Sequence, residues 1–143
     1  MNAIESQLSS ELQELYLENK ETFSDILFLE DESRFFQKLL EKVLSSSMKE
    51  DKFHEIEFVN SSLADLANRR GKLKTLLNAQ QQSVEAMLKS TDMKIGLSLV
   101  DQNTLITSEI KALLSFDKLV KQKLYVLVEQ VLSEQKAGHL LNA

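Results

Sequence analysis

The chain has 143 residues, 43% of them hydrophobic and 27% charged, with a net charge of −5, no cysteine, no proline and three glycines. It is too apolar for a disordered chain, and its acidic balance excludes general nucleic-acid binding and attachment to anionic membranes, both of which need basic surface. The absence of cysteine removes thiolate metal sites, disulfides and cysteine nucleophiles.

Proline costs a helix interior about 3 kcal/mol and glycine about 1 kcal/mol relative to alanine. A chain almost free of both has little use for tight turns, and the expectation is an all-α protein with few connections. Residues 1–7 lack the basic and apolar segments of a secretory signal. No apolar run approaches the ~20 residues of a membrane span, so the expected location is cytoplasmic.

From Leu8, apolar residues recur at alternating steps of three and four: Leu12, Leu15, Ile26, Leu29, Phe36, Leu40 and Val43. Asn19, Thr22 and Ser33 interrupt this seam without breaking its phase. Phe23, Phe28, Phe35 and Leu39 flank it. Phe35 and Phe36 are adjacent, so both cannot point into one narrow seam. The spacing predicts one helix over about 5–46. Thr22 and Asp25 stand at capping-box spacing, so a break near Asn19, giving a four-helix bundle, is the alternative.

Ser45-Ser46-Ser47 is a polar stop, and Ser47 or Asp51 is the expected cap of a second helix over about 51–90. Its seam is Ile56, Val59, Leu63, Leu66, Arg70, Leu73, Leu77, Gln80, Val84 and Met87. Gly71 weakens it locally, and Gln80-Gln81-Gln82 reads as a solvated face with Gln80 turned inward. A third helix starts near Asp92 or Ser98 and spans about 98–137, with Gly138 as its stop. Its seam is Leu99, Asn103, Ile106, Ile110, Leu113, Asp117, Val120, Leu124, Leu127 and Val131. The three segments form one domain over 1–143: an elongated, antiparallel, up-down-up three-helix bundle with coiled-coil-like packing.

Charge is shared unevenly. Residues 1–50 hold 11 acidic against 5 basic side chains, 51–92 hold 6 of each, and 93–143 hold 5 against 6. Short connections place facing positions where residue numbers total about 99 on the first two helices and about 190 on the last two. The run Glu30-Asp31-Glu32 then stands beside Arg69, Arg70, Lys72 and Lys74, with Lys118, Lys121 and Lys123 at similar height. A charge belt that fixes register is expected there, with Arg70 and Asp117 as a paired polar layer in the seam.

Chemistry is sparse. Only His54 and His139 exist, too few for the paired Glu-x-x-His motifs of di-metal bundles, and His54 reads as a solvated side chain beside Glu55 and Glu57. No phosphate loop, dinucleotide fingerprint or nucleophile elbow is present. The expectation is a protein without enzymatic activity, cofactor, metal or small-molecule substrate.

The third helix is apolar over more than half its circumference, since Leu119, Tyr125, Val126, Val128 and Leu132 accompany its seam. These five, extended by Phe28 or Phe35 of the first helix, are the candidate partner-binding residues of one exposed strip. Small helical chaperones and adaptors share this architecture, an analogy at the level of fold only. The expected function is a cytoplasmic adaptor or chaperone-like module binding another protein through an apolar helix face. Self-association as a structural bundle is the alternative.

Overall fold

A computed structural model describes the backbone of residues 3–46, 50–89 and 97–141, and the side chains of 10–46, 50–89 and 99–134. The protein is an all-α three-helix bundle: α1 is Ala3–Leu44, α2 is Phe53–Lys89 and α3 is Leu97–Leu141. Among the described residues there is no strand. α1 runs unbroken through residues 16–26, so the four-helix alternative does not hold. The reason lies in the two polar residues that suggested a break. Thr22 turns its hydroxyl back to donate to the Glu18 carbonyl at 3.0 Å, a bond made inside a helix rather than a cap. Asn19 is buried and bonded elsewhere, as described below.

α1 ends without glycine. The last four carbonyls of a helix lack intrahelical donors, and two serines supply donors to three of them. The Ser45 N–H reaches the Glu41 carbonyl at 3.0 Å and its hydroxyl the Lys42 carbonyl at 2.9 Å. Ser46 gives both its N–H (3.0 Å) and its hydroxyl (2.6 Å) to the Val43 carbonyl. The cap sought at Ser47 lies outside the described residues. Asp51 stands in a turn before α2, whose first bond runs from the Ile56 N–H to the Lys52 carbonyl at 2.9 Å; Lys52, not Asp51, therefore takes the cap position. The start sought at Asp92 is likewise outside the described residues, and α3 has already begun by Ser98. Gly138 does not stop α3, which continues to Leu141; no described glycine has a positive φ that would turn the chain.

Close contacts group the chain into two compact units, each drawing on all three helices. The first comprises Met1–Phe28 and Arg69–Leu113; the second comprises Leu29–Asn68 and Leu114–Ala143. The first unit closes over Leu12, Ile26, Leu73, Leu77, Val84, Leu99, Ile106 and Leu113, all buried. The second closes over Leu29, Phe36, Leu40, Val59, Leu63, Val120, Leu124 and Leu127. These are the seam residues of the sequence, which a 3.6-residue period places on one side of each helix.

In the first unit Leu12 of α1 packs with Val84 of α2 and Leu99 of α3, and Asn19 meets Gln81, so α1 and α2 run antiparallel in the expected register. The register of α2 on α3 differs from expectation. Arg69 meets Glu109 in the first unit and Phe58 stands by Leu119 and Lys123 in the second, so facing numbers total about 180 rather than about 190. A heptad seam looks alike after a shift of a heptad, and particular side-chain pairs choose among the alternatives.

Gly71 lies within α2, exposed, with nothing within 4 Å of where a Cβ would stand. Gly71→Ala is expected to raise stability by about 1 kcal/mol, read as a higher urea midpoint with an unchanged slope.

Candidate functional site: an apolar groove and two polar layers

The second unit carries a groove of about 610 Å³ between the first turns of α2 and the latter half of α3. His54, Phe58, Leu119, Lys123, Val126 and Gln130 line it. Its apolar walls are open to water: Phe58 is 40% exposed, Leu119 43% and Val126 54%. His54 is also exposed and packs its ring edge-on against Phe53, with centroids 5.8 Å apart.

The five candidates on α3 do not make one strip. Leu119 and Val126 are seven residues apart and lie almost one above the other, on the α2 side. Tyr125 and Leu132 are also seven apart, but lie about 120° round the helix from that pair. Tyr125 and Leu132 are exposed and Val128, nearer the seam, is half-buried. Tyr125 accepts the Lys121 ammonium over its ring face at 5.9 Å from the centroid. The buried seam of Val120, Leu124, Leu127 and Val131 runs between the two flanks. Phe28 in the first unit and Phe35 in the second both face solvent, about half exposed. The groove also takes Phe58 and His54, which the sequence reading left out. Phe58 sits between the seam positions Ile56 and Val59, and a search of α2 for a flanking stripe, like that made for α3, would have found it.

Each unit also buries a polar layer. In the first, the Asn19 side-chain N–H donates to Gln81 Oε1 at 2.8 Å, and the Gln81 amide donates to the Tyr16 carbonyl at 3.3 Å. Gln81 is thus buried rather than solvated. Gln80 is buried as expected, and neither its Nε2 nor its Oε1 has a hydrogen-bond partner among the described residues. At the surface of this unit the Arg69 guanidinium binds the Glu109 carboxylate at 2.7 and 2.9 Å.

In the second unit Asp117 is buried and stands close to Glu32 of α1. Glu32 in turn receives the Lys121 ammonium at 2.9 Å. The neighbouring Asp117, aided by Lys121 and opposed by burial, holds the Glu32 carboxyl below the usual carboxylate range. Glu32 raises the Lys121 ammonium above the usual lysine value. Arg70 was the expected partner of Asp117. It belongs to the first unit, is half-buried, and holds no ion pair among the described residues. Of the charge belt, Glu32–Lys121 is formed, while Asp31 pairs with Arg34 one turn along its own helix.

Among the described residues no group of three or more His, Asp or Glu side chains is placed to hold a metal, and no helix is long and apolar enough to cross a membrane. No family model, curated protein or solved structure matches this chain.

Proposed function

We propose that the chain is a non-enzymatic protein-interaction module, a cytoplasmic adaptor or chaperone-like bundle that takes a partner helix in the groove between α2 and α3. One observation carries this reading: Phe58, Leu119 and Val126, three large apolar side chains on two helices, stand 40–54% exposed around one groove. Single exposed apolar residues are ordinary, but converging ones mark interaction surfaces. An amphipathic helix presenting apolar residues at i, i+3, i+4 and i+7 is the ligand such a groove accommodates. Polar groups at its rim, His54, Glu55, Gln122 and Lys123, would orient it.

Self-association is the second reading, favoured by the exposed Phe28 and Phe35, which would give another copy apolar side chains to offer. Sedimentation across a wide concentration range distinguishes the two, since only self-association gives a concentration-dependent mass. A photo-crosslinker at Gln122 then tests the groove in the native cell. Leu119→Glu with Val126→Glu is expected to leave folding stability within about 1 kcal/mol, as for exposed positions, and to abolish either the dimer or the crosslink. A wild-type monomer whose crosslinks survive the double substitution would remove the groove from consideration.

A further inference from the structure

The groove of the second unit carries opposite charges on its two walls. Glu55 stands on the α2 wall three residues before Phe58, and Lys123 on the α3 wall between Leu119 and Val126. The register in which facing numbers total about 180 puts Glu55 and Lys123 at one height. Both are exposed, and among the described residues neither holds an ion pair, so both charges are available to another surface. Resting on the groove as the interaction surface, we propose that a second copy of the chain closes it when no partner helix is present. A two-fold axis parallel to α2 and α3 lays α2 of each copy over α3 of the other.

Rotation about such an axis keeps every residue at its own height. The second copy's Glu55 therefore comes over Lys123, and its Lys123 over Glu55, so one geometry forms the same pair twice. Phe58 of each copy comes about level with Leu119 of the other, and the apolar side chains that each copy leaves open to water cover one another. α2 and α3 run antiparallel, so the second copy's α2 also runs antiparallel to the α3 beneath it, as neighbours do in a four-helix bundle.

Charge disfavours the other seatings. A two-fold perpendicular to the helices would lay α2 on α2. It would bring Glu55 and Asp65, both exposed on the Phe58 side of α2, against their own copies, and the Lys123 wall against itself. The exposed Phe35 of a second copy's α1 is an apolar alternative, but residues 1–50 carry 11 acidic side chains against 5 basic and would meet Glu55. A contact of α1 with the groove is also head-to-tail, so it leaves a groove open on one copy and an α1 on the other. The seating of α2 over α3 pairs both charges and ends at two copies.

The test is sedimentation of the intact purified chain and of two charge-reversed variants, Glu55→Lys and Lys123→Glu. The wild type is expected to form a reversible dimer that added salt weakens. Each variant alone opposes like charges at both pairs and is expected to dimerise about tenfold more weakly. An equimolar mixture of the two sets opposite charges against each other at both pairs, and is expected to associate as the wild type does. A wild-type monomer, a dimer indifferent to both reversals, or a mixture without rescue overturns this seating. Should a variant not fold, a photo-crosslinker at Gln122 decides alone: its covalent dimer is expected to join the second copy's α2 near Phe58, and a link to α1 instead overturns the proposal. These outcomes leave open the groove as a site for a foreign helix, which Leu119→Glu with Val126→Glu tests separately in the native cell.

Discussion

Gln80→Leu is expected to stabilise the chain by about 2 kcal/mol, because a buried amide without partners bears its full desolvation cost, roughly 1–3 kcal/mol. Gln80 is 1% exposed, and among the described residues both its amide nitrogen and its oxygen lack partners. Leucine is close to glutamine in volume and matches the apolar seam of Leu73, Leu77 and Val84 on the same helix. The gain would appear as a higher urea midpoint at constant slope. A lower midpoint would mean that the amide is hydrogen-bonded in solution, and that the first unit's polar layer extends beyond Asn19 and Gln81. Retention of such a residue against its cost fits a role in specifying register, which a single polar seam residue accomplishes in coiled coils.

The largest loss is expected at Phe36. Its side chain is fully buried in the second unit, whereas the adjacent Phe35 is 50% exposed. Phe36→Ala removes an aromatic ring from a closed core and should cost about 3–5 kcal/mol. Phe35→Ala removes one from the surface and should stay within about 1 kcal/mol. The two rings touch at 6.4 Å between centroids, so the pair of substitutions compares burial with little else changed. Equal losses would mean that Phe35 is covered in solution, which is what occupation of that face by a second copy would produce.

Most of the helical architecture was legible because seam periodicity is a property of the chain itself. Each apolar seam position assigned to α2, from Ile56 to Val84, is buried. What periodicity does not encode is which seam residues meet across helices. The register of α2 against α3 differs by more than a heptad from one inferred by counting back from the connection, and the proximity of Asp117 to Glu32 of α1 lay outside any count along one helix. The groove was half legible. Leu119 and Val126 were marked by the excess apolar width of α3, but they were grouped with Tyr125 and Leu132 on the far flank. Their neighbour Phe58 comes from another helix, and its proximity depends on that same register.

The pair Glu32 and Lys121 joins residues 89 positions apart, and Asn19 and Gln81 join residues 62 apart. During synthesis at roughly 5–20 residues per second, Lys121 leaves the ribosome about 4–18 s after Glu32. α1 and α2 have time to form their hairpin, but the flank of α1 destined for α3 stays wet throughout, apolar residues included. The first 50 residues, which wait longest, carry 11 acidic side chains against 5 basic. Like charge of that kind opposes association between nascent copies on neighbouring ribosomes.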